Sequence, residues 1–259
     1  MPDTELIAVL TLVFYLAVVT WLVLRSVRDA GWDWGAWFLY AVARVYGPGM
    51  FHCRTLNPPC PIPEEGPALI VVNHRSPTDP IMVWLNHHIR RDGRPHRQMR
   101  IIGFLTAAEY CNLPGIGWIC RKMHSIPVQR NGQDMGPTRE ALRRLKSGQV
   151  VGIFPEGRIN PARDLTEGNQ GVAFLALKSQ VPVYPVFIEG APRPSVSMVT
   201  PFIKRCRVTV KYGESVDLSS YYGRKLSPGI LAEVTDLLMS RLAETGGVGF
   251  TAVEQRTEE

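Results

Sequence analysis

"ALIVVNHRSPTDP", residues Ala68 to Pro80, carries an unbroken apolar run into a polar segment and then into an aspartate followed by proline. A short, continuous apolar run rich in β-branched residues reads as a strand buried on both faces. Asp79 before Pro80 reads as a helix start, because a short acid can cap free N–H groups and proline is tolerated in the first turn. A buried strand therefore leads almost at once into a helix, expected over 79–89. The same alternation recurs downstream. Strands are expected at "MRIIGF" (99–104), "SIPVQ" (125–129), "VVGIF" (150–154), "VPVYPVFI" (181–188) and "RVTVKY" (207–212). Helices are expected near 106–123, 136–147, 170–180 and 227–244. This order predicts an α/β domain with a central mixed sheet flanked by helices.

Working outward, the chain ahead of this domain has a different character. Leu6 to Leu24, "LIAVLTLVFYLAVVTWLVL", contains no charged residue, and as a helix it would reach roughly 28 Å, close to the hydrocarbon thickness of a bilayer. A cleaved signal peptide would place basic residues before the apolar run; here Asp3 and Glu5 precede it, and Arg25 and Arg28 follow. A retained membrane-anchoring helix is the expectation, with the arginines placing the domain on the cytoplasmic face. "WDWGAWFLYAVARVY", Trp32 to Tyr46, is too short to span but has helical apolar spacing and interfacial tryptophans. It reads as an in-plane membrane helix, as a core helix, or with the first helix as a hairpin dipping into one leaflet with both termini on the cytoplasmic side. The proline-rich "LNPPCPIPEEGP" closes this section, so the expected organisation is an anchor over 1–54, a domain over 55–246 and a disordered tail over 247–259.

The net charge of +6 points to an acidic partner, whether nucleic acid, anionic membrane or phosphorylated substrate. No nucleic-acid motif is present and the aromatic residues concentrate in the anchor, which argues against a nucleic-acid partner. The five cysteines form no C-x-x-C pair and suggest neither a zinc cage nor a disulfide framework.

In an α/β domain, chemistry collects where strands end and helices begin. His74 follows the first strand, and Asp79 stands five residues later. A histidine can take a proton from a hydroxyl, and a carboxylate on its other ring nitrogen fixes the tautomer. Taken alone, the pair reads equally well as a polar strand end and a helix cap. Ser76 lacks the G-x-S-x-G setting of a nucleophile. "FPEGRIN", Phe154 to Asn160, places Glu156, Gly157 and Arg158 at another strand end. That is either a charged turn or an anion site built from glycine-turn amides and a guanidinium. Arg130, ending "SIPVQR", is a further candidate phosphate ligand.

The ordered set "NHRSPTD", "PGIGWICRKMHSIPVQR", "FPEGRIN" and "VPVYPVFIEG" resembles the four blocks of the glycerolipid acyltransferase family, which includes the 1-acylglycerol-3-phosphate acyltransferases. The resemblance covers about residues 65 to 190. It implies that His74 is the general base on the acceptor hydroxyl and Asp79 its orienting partner. The acyl group would pass directly from acyl-CoA or acyl carrier protein to a lysophospholipid, without an acyl-enzyme. Glu156 and Gly157 would shape the acceptor site, Arg130 and Arg158 would hold its phosphate, and Pro185 would help form the acyl-donor side. No metal or other cofactor is implied. The implied setting is the cytoplasmic face of a bacterial inner membrane, in contact with membrane lipids.

Three departures qualify the resemblance. Many members read F-P-E-G-T-R, with the arginine one place later than Arg158. Lysines common in two places correspond here to Ala107 or Ala108 and to Asn169 or Gln170, which leaves room for another lysophospholipid or an acylated amino-acid lipid as acceptor. Gln129 replaces a usual aspartate. A catalytically silent, membrane-tethered lipid-binding protein is the competing class. The loop "HHIRRDGRPHRQMR", residues 87–100, suits anionic headgroups or CoA phosphates better than a metal, because its arginines would repel a cation.

Overall fold

The computed structural model describes residues 2–31, 33–51, 54–55, 60–87, 100–129, 135–194 and 198–250. The strands are β1 (Arg54–Thr55), β2 (Ala68–Val72), β3 (Ile102–Ala107), β4 (Ile126–Val128), β5 (Val150–Ile153), β6 (Val183–Glu189) and β7 (Thr209–Tyr212). They form one sheet in the order β1-β7-β6-β2-β5-β3-β4. Neighbours run parallel except β6 and β7, which are antiparallel, so the sheet is mixed, as expected. The helices are α1 (Pro2–Ala30), α2 (Trp34–Phe51), α3 (Asp79–His87), α4 (Ala108–Cys111), α5 (Ile116–Lys122), α6 (Gly136–Lys146), α7 (Gly171–Ser179), α8 (Thr200–Ile203) and α9 (Pro228–Gly246).

Side-chain alternation along β2 explains the layers. Leu69 and Val71 join the cluster built with Leu145 of α6, Leu175 of α7 and Leu238 of α9. Ala68, Ile70 and Val72 face the other way, into a cluster with Ala43 of α2 and Met82 and Trp84 of α3. All five β2 residues are buried because helices cover both faces of the strand.

α1 stands apart from this core. Its window Thr4–Asp29 is long and apolar enough to cross a membrane, and none of it is buried within the protein. α2 is half committed to the domain: Ala36, Ala43 and Phe51 are buried. Asp33 caps it, its Oδ1 accepting from the Gly35 and Ala36 amides at 2.7 and 3.1 Å. The same oxygen pairs with Lys122 Nζ of α5 at 3.2 Å.

Several boundaries differ from expectation for physical reasons. The helix expected over 106–123 is two, α4 and α5, because Pro114–Gly115 interrupts it. The strand expected at 99–104 lies at 102–107. The anchor boundary at residue 54 falls inside β1, a two-residue strand paired with β7. Chain beyond α9 begins packed: the Leu165 amide donates to Gly249 O at 3.0 Å, and the Gly249 amide donates to Asp164 Oδ1 at 2.9 Å. Residues 251–259, the rest of the expected tail, lie outside the described residues, as do residues 88–99 of the basic loop.

Candidate active site

β2 and β5 are adjacent and parallel, so the segments after them emerge side by side at one sheet edge. His74 leaves β2 and Glu156 leaves β5, which brings two residues far apart in sequence together. The His74 amide donates to Glu156 Oε2 at 3.0 Å. Asn73 ties the same edge to the strand on its other side. Its Nδ2 donates to Ile188 O at 2.9 Å, and its Oδ1 accepts from the Ile188 amide at 2.6 Å, extending the ladder with a side chain.

Asp79 opens α3 and is fully buried. Its Oδ2 accepts from the Arg75 amide at 2.7 Å and the Ser76 amide at 2.8 Å. His74 Nδ1 lies 3.0 Å from that same oxygen. Because the oxygen already accepts from two amides, Nδ1 carries the proton and donates, which leaves the lone pair on Nε2. Nε2 has no hydrogen-bond partner among the described residues, and the side chain is 19% exposed. Burial pushes the Asp79 carboxyl above its ordinary value, opposed by the hydrogen bonds from His74, Ser76 and Arg75. Asp79 does not cap the first-turn amides of α3, as its place before Pro80 suggested; its Oδ2 holds the turn ahead of the helix through Arg75 and Ser76 and orients the histidine with the same oxygen.

The imidazole also has a floor. Its ring stacks on Phe154 with centroids 4.2 Å apart and planes at 22°, and Phe154 stacks on Phe104 at 5.2 Å and 16°. Phe104 packs on Gly152 of β5, where a Cβ would come within 2.9 Å of three ring atoms. Glycine at that position sets the height of the column under His74.

"FPEGRIN" divides its charges between inside and outside. Glu156 is 8% exposed and accepts four hydrogen bonds, from the His74 amide, Asn160 Nδ2, the Thr166 amide and Thr166 Oγ1. It is the joint that fastens the 160s loop to His74. Gly157 has φ +67°, the left-handed turn that lets the chain reverse and carry Arg158 outward. Arg158 is exposed and makes no hydrogen bond among the described residues. It lines a cavity of about 460 Å³ with Gly157, Glu156, Thr166, Glu167 and Asn169. The structure thus brings His74, Asp79, Glu156, Gly157 and Arg158 to one edge. Pro185 stands apart, buried within β6 opposite Val71. Its C=O accepts from the Gly213 amide at 2.9 Å, just past the end of the β7 ladder. Arg130 lies outside the described residues.

Sequence reasoning passed over Arg75 and Asn160. Arg75 is 6% exposed. Its guanidinium donates to the carbonyls of Asn160 at 2.9 Å and Arg163 at 2.7 Å, and the Asn160 amide donates to His74 O at 2.8 Å. Only the adjacency of Arg75 to His74 hinted at this role. Ser76 is fully buried with its Oγ against Thr78 Oγ1 at 2.8 Å, closed to substrate. Among the described residues no group of three His, Cys, Asp or Glu side chains is arranged to hold a metal.

Comparison with known proteins adds a family. The model of the Acyltransferase family matches residues 55–189. An uncharacterized protein of Mycobacterium tuberculosis is 32% identical over 140 residues, half of this chain but 35% of that relative's length. The 1-acyl-sn-glycerol-3-phosphate acyltransferase of Bacillus subtilis is 24% identical over 143 residues, 55% of this chain and 68% of that protein. The crystal structure of the 1-acyl-sn-glycerophosphate (LPA) acyltransferase PlsC from Thermotoga maritima superposes with a TM-score of 0.60. That match is 21% identical and covers 83% of this chain and 81% of that one. It shares the fold.

Proposed function

The chain belongs to the Acyltransferase family, and from that premise we propose that it transfers a fatty acyl group from a thioester donor to 1-acylglycerol-3-phosphate, forming phosphatidic acid. The donor is acyl-CoA or acyl carrier protein. The observation that carries this reading is the open Nε2 of His74, backed through Nδ1 by the buried Asp79. Nε2 takes the proton of the acceptor hydroxyl as its oxygen attacks the thioester carbonyl. The tetrahedral intermediate collapses with a C–O bond formed and the C–S bond broken. The leaving thiolate recovers the proton from His74, and no acyl-enzyme is needed.

Arg158, lining the cavity beyond Gly157, and Arg130 hold the acceptor phosphate. Glu156 shapes the site by fixing the His74 backbone, and Pro185 supports the donor side from within the sheet. α1 is lipid-embedded, with none of its apolar window buried within the protein. Arg25 and Arg28 support placing the domain on the cytoplasmic face, in a bacterial inner membrane. A second acceptor is favoured by one observation: Glu167 shares the cavity wall with Arg158. A mixed wall suits an acceptor bearing both signs of charge, such as a zwitterionic lysophospholipid or an acylated amino-acid lipid.

The test is purified full-length protein with labelled acyl-CoA and acyl carrier protein thioesters against a panel of lysolipids. Transfer to lysophosphatidic acid is expected, and His74→Ala reduces it at least about 100-fold while the protein stays membrane-bound. Arg158→Ala raises the apparent KM for phosphorylated acceptors only. Absence of transfer to every acceptor would leave the lipid-binding class standing instead.

A further inference from the structure

α8 and the two residues before it expose three large apolar side chains. Val199 is 65% exposed, Ile203 70% and Met198 38%. Lys204, Arg205 and Arg207 follow directly and are exposed, and residues 198–207 contain no acidic side chain. An apolar tip with a basic collar matches the order of groups in an anionic leaflet, acyl chains beneath phosphates.

Its location is specific. The Tyr46 hydroxyl of α2 donates to Phe202 O, and the Cys206 and Val208 amides donate to Met50 O and Phe51 O, each at 3.1 Å. α8 is therefore fastened to the C-terminal end of α2. α2 itself turns Trp34, Phe38, Val42 and Val45 outward, with Val45 80% exposed. At its other end the Trp34 ring lies 6.4 Å from Trp118 of α5, a helix exposing Ile116 and Ile119, each at 42%. Exposed apolar groups thus follow one line along α2, from α5 to α8, continuing from α1. The line lies on the sheet face away from α6, α7 and α9.

We infer that α8 is a second membrane contact: Met198, Val199 and Ile203 enter the leaflet that holds α1, while Lys204, Arg205 and Arg207 sit on lipid phosphates. The occupant is an anionic phospholipid surface. With supports at both ends of α2, the domain is held at a fixed tilt and does not swing from its N-terminal helix. The inference rests on the reading of α1 as lipid-embedded.

The experiment uses the full chain in nanodiscs containing an anionic phospholipid. Val199→Cys and Ile203→Cys are labelled with a small fluorophore, with the parent chain labelled identically as background. Leu16→Cys in α1 reports the anchor, and Arg241→Cys on α9 reports the aqueous side. Nitroxide-bearing lipids should quench labels at 199 and 203 at least about threefold more than at 241, as for side chains roughly 5–10 Å into the interface. Replacing the anionic lipid with phosphatidylcholine should reduce that quenching, and Lys204→Gln should lower the equilibrium constant for immersion roughly fivefold. Labels at 199 and 203 reached by aqueous iodide but not by lipid nitroxides, with Leu16 still quenched, would overturn the inference. Protection from both quenchers would place a second copy or another protein there and overturn it equally. Loss of quenching at Leu16 would refute the embedded α1 instead.

Discussion

Asp79→Asn separates the two duties of one carboxylate. Oδ2 accepts all three hydrogen bonds of the group, while Oδ1 is buried with no hydrogen-bond partner. An asparagine can place its carbonyl oxygen where Oδ2 lies and keep both amide bonds that shape the turn. Its NH2 group then replaces a buried, unpartnered oxygen, and a buried charge disappears. Those changes oppose each other, so folding stability should move by no more than about 2 kcal/mol. Catalysis has no such compensation. Charge centres about 4 Å apart attract by about 4 kcal/mol at an effective dielectric near 20, and a neutral amide retains only a small part of that for an imidazolium. The expected loss is roughly 3 kcal/mol of transition-state stabilisation, or about 10²-fold in kcat. Thiol release from the thioester donor gives the rate, and urea unfolding in the same detergent gives the stability. A variant that keeps kcat within about tenfold of the parent while losing stability would show that Asp79 holds the turn ahead of α3 and contributes little through His74.

Three further perturbations probe the supports. Gly152→Ala pushes into the Phe104 ring and tilts the column beneath His74; overpacking of this kind costs about 1–3 kcal/mol, read by denaturation, with a fall in kcat that Phe104→Leu in the same chain partly restores. Glu156→Gln keeps the shape but replaces one acceptor oxygen with a donor that faces either the His74 amide or Asn160 and Thr166. It should cost about 1–3 kcal/mol of stability and lower kcat more than it changes the donor KM. Glu140 is held down to about 2 by hydrogen bonds from Arg143 and Arg144. A depressed carboxylate stabilises the fold above its ordinary value and loses that contribution as pH falls toward the folded value. Solvent screening limits it to about 1 kcal/mol, so the stability gap between parent and Glu140→Gln at pH 7 should close as pH falls from 4.5 toward 2.

How far the sequence could be read depended on how locally each feature is encoded. β2 and β5 are legible because strands covered on both faces are apolar throughout. β1 and α8 are not, because two and four residues carry no period. Apolar spacing bridged Pro114–Gly115 and hid the break between α4 and α5. In the site, His74, Asp79 and Glu156 stood out by residue type and position after strands, but the use of Glu156 did not. Whether its carboxylate faces solvent or His74 depends on β2 and β5 being neighbours, a property of topology. The Phe104–Phe154–His74 column and the capture of Arg75 by the 160s loop have the same origin. They join segments that only the folded sheet brings together.

The position of β2 has a consequence for the order of synthesis. Both of its partners, β5 and β6, come later in the chain. Until β6 has been made, the apolar β2 can be paired on one side at most, by β5. Asn73 cannot close on Ile188 before that residue exists. The sheet edge that carries His74 is therefore completed only once β6 has been made, with β7 and α9 still to come. A chain halted before β6 would hold a partly paired apolar strand, the kind of intermediate that recruits chaperones or misfolds.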